Sequence, residues 1–414
     1  MYLLVADDIT GGNDAGIQFA GRGLETRMAI TAGGVPLCGP APEMLVVNTN
    51  TRNMTAADAA GCVKGVVDSL QCEEAVARPE MVFKKIDSTL RGNPGVEIDV
   101  LLRGFGFRTG FLTPAYPQHG RTLRNGWLYI NGVPVHETGF ADDPLMPARE
   151  PSVVAVLARQ SKLRMAGIGL DVVNGGSENV ARRVAALAAD GAELFIFDAE
   201  TPEQIDTIAT AGMRMAERPM FIGAAGLAES LAALLPRGTH AVPGGVSPDH
   251  VFFVCGSMHQ AARLQMEELV RAEARVERHT VGDGTDGVAD SLVAALGRGD
   301  TLLTTPCGRQ DGGLAAGIAL SKELGDTAVA ALQKLEMDPR SLALVITGGE
   351  TAYAVLRRIC TGMALKREIF SGIALGSITG GDWDGLTVVT KAGGFGAPRT
   401  LVDILHVLRS RDGA

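Results

Sequence analysis

The sequence predicts an α/β protein of two domains, each a largely parallel or mixed sheet flanked by helices. The chain has 414 residues, more than a single ordinary core accommodates. Short apolar, often β-branched runs alternate with Ala-rich stretches of helical periodicity, which is typical of βαβ units. The 53 glycines and the low aromatic content of 5% favour tight turns between strands and helices over an aromatic-rich β protein.

Short apolar runs predict the strands of the first half of the chain. They occupy residues 3–6, 45–47, 81–83, 110–112, 194–197 and 220–222. Helical patterns cover 56–70 and 180–189 between them. Open α/β sheets bind ligands outside the carboxyl ends of their strands, so the residues directly after each run are the candidates for a site. Polar groups stand there, Asp198 among them.

A Pro- and Gly-rich break predicts a linker at 241–250. It separates a first α/β domain at 1–240 from a second α/β domain at 251–414. Strands of this second domain are predicted at 251–254, 301–303, 344–346 and 386–389, and helices at 258–271, 326–334 and 400–408. We expect the active site in the cleft between the two domains.

The acidic balance of the chain excludes several partners. The net charge is −9 with a pI of about 5.4, and the chain lacks the basic cluster of a nucleic-acid-binding protein. No apolar run reaches the roughly 18 residues that span a membrane, and the N-terminus lacks a signal-peptide pattern. We expect a cytoplasmic protein that binds neither nucleic acid nor membranes. The sequence does not determine the oligomeric state, and a homo-oligomer is compatible with it.

Two adjacent acids, Asp7 and Asp8, come directly after the first predicted strand. Side chains alternate along an extended backbone, so the two carboxylates are expected to point in different directions. One could accept hydrogen bonds from substrate hydroxyls or act as a base, while the other caps the next helix. The alternative that both acids only cap the helix and turn stays open.

A polar run at 84–93 comes after another predicted strand and mixes cations with Asp, Ser and Thr. Lys84 or Lys85 could hold a carboxylate by charge-assisted hydrogen bonds, and Asp87 could hold hydroxyls. Arg52, after a further strand, is a second candidate for a carboxylate clamp. This combination suits a hydroxylated carboxylic acid. A solvated loop is the alternative for the run, and an ordinary loop histidine is the alternative to an acid/base role for His119.

Three Gly-rich segments come after predicted strands in the second half and indicate a nucleotide site. Gly348-Gly349 opens a helical stretch, where free backbone N–H groups and the helix dipole favour phosphate. Lys391 to Gly396 repeats this pattern with a nearby cation, and Gly256-Ser257 stands after the first strand of this half. The chain contains no GxxxxGK[ST], no protein-kinase signature set and no clean GxGxxG, so a P-loop enzyme, a protein kinase and a conventional dehydrogenase lose ground.

Taken together, these segments resemble the four-carbon acid sugar kinase family, whose members phosphorylate acids such as threonate, erythronate and 3-oxo-tetronate. The motifs span nearly the whole chain in the family's order. They are Ala6 to Gly11, Lys84 to Gly92, Gly120-Arg121-Thr122, Asn131 to Pro134, Asp198 to Thr201, Gly348 to Thr351 and Lys391 to Gly396. The chain departs from the family at Ile9, where relatives usually have Phe, and at Met258-His259-Gln260, where they tend to have Ser and Thr.

The resemblance implies that the domain at 1–240 binds the acid sugar and that the domain at 251–414 binds the nucleotide. The implied substrate contacts are Asp7, Arg52, Lys84, Lys85, Ile86 and Asp87, together with Asp8 of the acidic pair. The implied ATP contacts are Ser257, Gly348, Gly349, Glu350, Thr351 and Gly394. The opening of the chain and the segment 48–52 look closest to the branch that acts on D-threonate.

We therefore expect direct transfer of the γ-phosphoryl group of ATP, with Mg²⁺, to the C4 hydroxyl of the acid. A carboxylate of Asp7, Asp8 or Asp87 would orient that hydroxyl or take its proton, and the sequence does not distinguish among the three. D-threonate is the expected substrate. D-erythronate and 3-oxo-tetronate are alternatives with the same chemistry, and a nucleotide-bound sugar-acid sensor without turnover is the alternative of another class.

Overall fold

The computed structural model describes residues 1–31, 41–72, 79–142, 146–240, 247–281, 285–306 and 313–410. The chain divides into two compact units, Met1–Thr239 and His240–Ala414. Within the predicted linker, residues 241–246 lie outside the described part. Among the described helices, none is both long enough and apolar enough to cross a membrane.

The N-terminal unit alternates strands and helices. In chain order it contains β1 (Tyr2–Ala6), α1 (Ile9–Gly21), β2 (Thr26–Ala29), β3 (Met44–Asn48), α2 (Ala56–Cys72), β4 (Met81–Lys85), α3 (Pro94–Gly104), β5 (Gly110–Thr113), β6 (Arg121–Arg124), β7 (Trp127–Ile130), β8 (Val133–Pro134), α4 (Val153–Ala158), β9 (Met165–Ile168), α5 (Leu170–Val173), α6 (Ser177–Ala189), β10 (Leu194–Phe197), α7 (Pro202–Arg214), β11 (Met220–Gly223) and α8 (Ala225–Leu234).

The main sheet of this unit has the order β2-β3-β1-β4-β11-β5-β10-β9, and its neighbouring strands are parallel. Parallel strands with helices on both faces are buried on both sides, so their sequences are nearly continuous apolar runs. The predicted strands of the first half correspond to β1, β3, β4, β5, β10 and β11. β2 and β9 lack such a run and were not predicted.

A small antiparallel sheet of β6, β7 and β8 extends from the main sheet. The sequence analysis predicted no strand in this region. Two Asn-Gly pairs form its turns, with positive φ at Asn125 and Gly126 and at Asn131 and Gly132. Asn-Gly between short strands is the strongest local hairpin signal, because both residues tolerate the left-handed region.

The C-terminal unit also combines a sheet with helices. It contains β12 (His250–Cys255), α9 (Gln260–Ala272), β13 (Glu277–Thr280), α10 (Thr285–Leu296), β14 (Thr301–Thr304), α11 (Gly313–Lys334), β15 (Leu342–Thr347), α12 (Gly349–Ile359), β16 (Gly362–Phe370), β17 (Ile373–Thr379), β18 (Thr387–Lys391) and α13 (Thr400–Arg409). Its strand order is β13-β14-β12-β15-β18-β17-β16. The strands from β13 to β18 in this order are parallel, and β17 is antiparallel to both β18 and β16. The predicted mixed α/β class is confirmed.

An aromatic cluster fills the centre of the N-terminal unit around Phe111 of β5. The ring centroid of Phe111 lies 4.7 Å from that of Phe197, 6.1 Å from that of Phe195 and 6.2 Å from that of Phe221. Gly212 of α7 allows this helix to approach, since a Cβ there would lie 2.5 Å from the Phe221 ring. Aromatic rings packed at these distances contribute both burial and edge-to-face attraction.

Phe111→Ala is expected to lower the free energy of unfolding of the N-terminal unit by about 3–5 kcal/mol, because a fully buried ring is replaced by a cavity. Equilibrium urea unfolding followed by circular dichroism measures the change. Val154→Ala on α4 is the control, since Val154 is exposed. A loss below about 1 kcal/mol for Phe111→Ala would show that the cluster does not hold the unit together.

Candidate active site

Three parallel strands of the N-terminal unit end side by side. β1 lies between β3 and β4, and Ala6 stands opposite Asn48 on one side and Lys85 on the other. The residues that leave these strands therefore start from one edge of the sheet. That edge carries Asp7-Asp8, the segment that leads to Arg52, and the segment that leads to Asp87.

Arg52 joins the three acids of this edge. Its Nε donates to Oδ2 of Asp7 at 2.8 Å and its Nη2 donates to Oδ1 of Asp7 at 2.9 Å. The same Nη2 donates to Oδ1 of Asp8 at 2.7 Å, and Nη1 lies 3.9 Å from Oδ1 of Asp87. A planar guanidinium suits such a bidentate arrangement. We call Asp7, Asp8, Arg52 and Asp87 the carboxylate–arginine cluster.

Asp8 also caps helix α1, as predicted for one of the two acids. Its Oδ1 accepts from the backbone N–H of Gly11 at 3.0 Å, and its Oδ2 accepts from the hydroxyl of Thr10 at 2.6 Å. The expectation that the two carboxylates diverge is wrong in one respect, because Asp7 and Asp8 both contact Arg52. β1 ends at Ala6, so both acids lie beyond the strand to which the alternation applies.

Asp87 is held from the other side by the polar run in which it lies. Its carboxylate accepts from Arg91, with Nε to Oδ2 and Nη2 to Oδ1 both at 2.9 Å. The backbone N–H of Thr89 donates to Oδ2 at 3.1 Å, and the Thr89 hydroxyl donates to the same atom. Neither Arg91 nor Thr89 was among the predicted site residues, although the polar run that contains them was.

The buried carboxyl groups of Asp7 and Asp87 both have lowered pKa values. Burial alone raises the pKa of Asp7, but the Arg52 guanidinium outweighs it and holds that pKa below its ordinary value. Burial likewise raises the pKa of Asp87, and Arg91 with Arg52 reverses this, so that the Asp87 pKa lies well below its ordinary value. At neutral pH the cluster therefore presents ionised carboxylates, which are strong hydrogen-bond acceptors and weak proton acceptors.

The two lysines of β4 have different partners, and the charges of both lower the pKa of Asp7. Lys85 lies at the cluster, where its Nζ donates to the carbonyl of Ile86 at 3.0 Å. Lys84 points into the interior, where its fully buried Nζ lies 2.5 Å from Oε2 of Glu97. Burial raises the pKa of Glu97, against the effect of Lys84. Glu97 comes after Pro94 in the first turn of α3 and carried no signal in the sequence.

Ile86 and Asp198, which also follow predicted strands, form hydrogen bonds with the backbone of neighbouring segments. Ile86 is buried, and its backbone N–H donates to the carbonyl of Gly223 at 3.0 Å. Asp198 accepts from the N–H groups of Asn125 at 2.7 Å and Gly126 at 2.9 Å, so it holds the β6–β7 turn. These two bonds make Asp198 an anchor of that turn.

A second set of strand ends meets in the C-terminal unit. β15 lies between β12 and β18, and Thr347 stands opposite Cys255 and Lys391. Gly348 has φ of +105°, which favours glycine, and α12 begins at the next residue, Gly349. The first turn of α12 carries Glu350 and Thr351, and no intrahelical carbonyl accepts from the N–H groups at the start of a helix.

The three Gly-rich segments approach one another closely. A Cβ at Gly348 would lie 3.5 Å from both the backbone nitrogen of Ser257 and Oγ1 of Thr351. A Cβ at Gly393 would overlap Oγ of Ser257, and one at Gly394 would lie 3.3 Å from Nε2 of His259. The predicted ATP contacts Ser257, Gly348, Gly349, Glu350, Thr351 and Gly394 therefore lie together at one edge of this sheet. Exposed N–H groups at such a turn suit phosphate.

His259, which lies where the chain departs from the Ser- and Thr-rich pattern, caps α9. Nδ1 of His259 accepts from the N–H of Ala261 at 3.2 Å and so caps α9, a role that Ser or Thr usually fills. The predicted helical start at Met258 is accordingly two residues early. The backbone N–H of His259 donates to Oγ of Ser257 at 3.3 Å, which fixes the serine hydroxyl beside Gly393.

Lys391 supports the Gly-rich turn that follows β18. Its buried Nζ donates to the carbonyls of Ala392 and Phe395, both at 2.9 Å. Burial lowers the pKa of Lys391 to about 8, with a small opposing effect from Cys255. The sequence analysis treated Lys391 as a cation near the phosphates, whereas the structure gives it the two turn carbonyls as partners.

Comparisons with known proteins match the two halves of the chain to two different domain families. The model of a sugar-binding N-terminal domain matches residues 2–231, and the model of a nucleotide-binding C-terminal domain matches residues 252–401. A sugar-binding domain joined to a nucleotide-binding domain is the organisation of a sugar kinase. A crystal structure of a Salmonella typhimurium LT2 protein shares the fold, with a TM-score of 0.79 at 18% identity over 97% of this chain and 98% of that chain.

Curated relatives match along nearly the whole chain. A D-threonate kinase of Bordetella bronchiseptica is 34% identical over 99% of this chain and 97% of its own length. A D-threonate kinase of Salmonella typhimurium is 33% identical over 98% of both chains, and a 3-oxo-tetronate kinase of Methylobacterium radiotolerans is 31% identical over 95% of both. The chain belongs to the four-carbon acid sugar kinase family, which confirms the resemblance seen in the sequence.

The buried ammonium of Lys391 predicts a pH dependence of stability. Its pKa falls from 10.5 to about 8 on folding, so between these values the unfolded chain binds more protons than the folded chain. The unfolding free energy of the wild type, minus that of Lys391→Met, should therefore rise by about 3 kcal/mol between pH 8 and pH 10.5. Urea unfolding of the C-terminal unit across this range measures it.

Lys322→Met removes one positive charge from the exposed face of α11 and serves as the matched control. A difference that stays flat, or falls with pH, would mean that the Lys391 ammonium is not destabilised by burial.

Proposed function

We propose that this four-carbon acid sugar kinase transfers the γ-phosphoryl group of ATP to the C4 hydroxyl of D-threonate, giving the 4-phosphate and ADP. The observation that carries the proposal is the cluster of ionised carboxylates around Arg52, which suits a small hydroxylated ligand. The choice of D-threonate rests on the relatives of that name, at 33% and 34% identity, and on the resemblance of the opening segment.

The N-terminal unit would bind the acid sugar. Each carboxylate oxygen has two lone pairs, so Asp7 and Asp87 retain acceptor capacity beyond the bonds from Arg52 and Arg91. Substrate hydroxyls can donate to that remaining capacity. Lys85 and the arginines keep the local charge close to balance, which allows a negatively charged acid to approach three carboxylates.

The C-terminal unit would bind ATP through backbone groups. The first turn of α12 after Gly348 offers N–H donors and the positive end of the helix dipole to the phosphates. Ser257 adds a hydroxyl beside Gly393. Glycine suits these places because Gly348 has a positive φ and a Cβ at Gly393 would overlap Oγ of Ser257.

The low pKa values of Asp7 and Asp87 bear on the proton of the attacking hydroxyl. A strongly acidic carboxylate is a poor general base, but it orients a donor well. Phosphoryl transfer through a loose transition state gains most of its rate from positioning and electrostatics, with little demand on an early proton transfer. We therefore assign the carboxylates of Asp7 and Asp87 the orientation of substrate hydroxyls.

Mg²⁺ is the metal that this chemistry implies. Among the described residues, no group of three or more His, Cys, Asp or Glu side chains could hold a metal ion. Mg²⁺ commonly takes most of its ligands from substrate phosphates and water, with one or two carboxylates, and Glu350 at the start of α12 is the carboxylate at the phosphate-binding turns. The ion would neutralise charge on the triphosphate.

D-erythronate and 3-oxo-tetronate are the alternatives within the same chemistry, and a nucleotide-bound sensor without turnover is the alternative of another class. The acids differ from D-threonate at a single carbon of the chain, either in configuration or in oxidation state. A sensor has little need for ionised acids at one site together with phosphate-binding turns at another.

We expect ADP release from ATP and Mg²⁺ with D-threonate in a panel that also contains L-threonate, D- and L-erythronate and 3-oxo-tetronate. Asp87→Asn should lower kcat by about 100-fold or more, because it removes a charged acceptor and leaves Arg91 without its partner. Coupled detection of ADP measures the rate, and circular dichroism confirms folding. Asp68→Asn, at an exposed acid of α2, is the matched control.

Turnover with one of the other acids would correct the substrate and keep the reaction class. Binding of ATP without turnover of any acid would favour the sensor.

A further inference from the structure

The predicted carboxylate clamp is occupied by the protein itself. Arg52 directs Nε and Nη2 at Asp7 and Asp8 and keeps Nη1 near Asp87. Lys84 is paired with Glu97 in the interior, and Lys85 donates to a backbone carbonyl. An incoming carboxylate would compete with protein acceptors at each of these cations. Arg52 and Lys84 already hold carboxylates of the protein, so a cation whose acceptors are neutral is the better partner for the acid of the substrate.

Arg121 is a cation of a different kind. Its side chain is partly buried and donates to the carbonyl of His119, and no carboxylate in the described part of the chain pairs with it. Burial lowers the pKa of Arg121, and the neighbouring charge of Arg91 lowers it further, against the effect of Asp87. A guanidinium with one neutral acceptor keeps most of its five N–H donors for a ligand.

The backbone around Arg121 is fixed. The N–H of Tyr116 donates to the carbonyl of Arg121 at 2.8 Å, and the N–H of Arg121 donates to the carbonyl of Tyr116 at 3.1 Å. Gly120, just before it, has φ of +69°, and a Cβ there would overlap Oδ1 of Asn131. The Arg121 side chain thus starts from a rigid bridge, as a residue that positions a ligand should.

Phe140 links Arg121 to the carboxylate–arginine cluster. The Cζ of Arg121 lies 5.7 Å from the centroid of the Phe140 ring, and the Cζ of Arg91 lies 5.8 Å from the same centroid. Arg91 in turn holds Asp87 with two bonds of 2.9 Å. Arg121 therefore lies next to the acids that would hold the hydroxyls, on the side of Asp87.

We propose that Arg121 binds the carboxylate of the acid sugar, and that Arg91 and Phe140 position its guanidinium. The inference rests on the proposed function, since it names the group that recognises the acid end of that substrate. A planar guanidinium can hold a carboxylate with two parallel hydrogen bonds. Arg121 is thereby the residue that distinguishes an acid sugar from the corresponding neutral polyol.

Calorimetric binding and steady-state turnover of D-threonate and D-threitol test the proposal, because D-threitol replaces the carboxylate by a hydroxymethyl group. We expect the wild type to bind D-threonate at least tenfold more tightly than D-threitol. Arg121→Met should weaken D-threonate binding by about 30- to 100-fold and leave D-threitol binding within about twofold. Arg121→Lys, which keeps the charge without the planar fork, should give an intermediate loss.

Arg124→Met is the matched control on the same strand. The Cζ of Arg124 lies 4.9 Å from the centroid of the Tyr129 ring and its Nη1 lies 3.5 Å from Glu200, so it is partnered away from the cluster. We expect its affinity for D-threonate to equal that of the wild type. Thermal unfolding checks that each variant is folded.

The outcomes separate the two proposals. Wild-type binding of D-threonate that Arg121→Met abolishes, without turnover of any acid, would overturn the kinase function and keep the role of Arg121. Turnover of D-threonate with unchanged affinity in Arg121→Met would keep the function and overturn the role of Arg121. Equal loss of D-threonate and D-threitol affinity would also overturn it, since that result indicates a general structural role.

Discussion

The contact of Arg52 with three carboxylates is the constraint on which the N-terminal site depends. Parallel strand ends bring Asp7, Asp8 and Asp87 to one edge of the sheet, where like charges a few ångströms apart would repel by about 4 kcal/mol per pair. The guanidinium of Arg52 reverses that cost with hydrogen bonds of 2.7 to 2.9 Å. It also lowers the pKa of Asp7, and together with Arg91 it lowers the pKa of Asp87, so both carboxylates are ionised and act as acceptors of hydrogen bonds.

Both units build their site in the same way and differ in the residues that stand after the strands. In each, a central strand stands between two parallel neighbours, so three segments leave from one edge. The N-terminal unit has charged residues there, and a hydroxylated acid matches them. The C-terminal unit has glycines there, and backbone N–H groups at Gly349 match phosphate. The buried Lys84 and Lys391 lie beneath these edges and hold Glu97 and two turn carbonyls.

The sequence was sufficient for the fold class, the strand ends and the acids, because a parallel strand buried on both faces has an unmistakable apolar run. The sequence was insufficient where the partner of a side chain lies far from it along the chain and is brought close only by folding. The sequence left Lys84 and Lys85 as equal candidates for holding a carboxylate, and nothing in it indicated Glu97 as the partner of Lys84. Arg52 was predicted as a clamp for the ligand, whereas the structure engages it with Asp7. That Arg121 has no carboxylate partner among the described residues was likewise not readable from the sequence.

The most direct test of this account is a double-mutant cycle between Arg52→Met and Asp7→Asn, measured by the free energy of unfolding of the N-terminal unit. Arg52→Met leaves the buried carboxylate of Asp7 without its guanidinium, so we expect a loss of about 3–5 kcal/mol. Asp7→Asn leaves Arg52 paired with Asp8 and should lose less. The double variant should recover a large part of that loss, with a coupling energy of at least about 2 kcal/mol. Unchanged stability in Arg52→Met, with only a weaker affinity for the acid, would contradict the account and return Arg52 to the role of a ligand clamp.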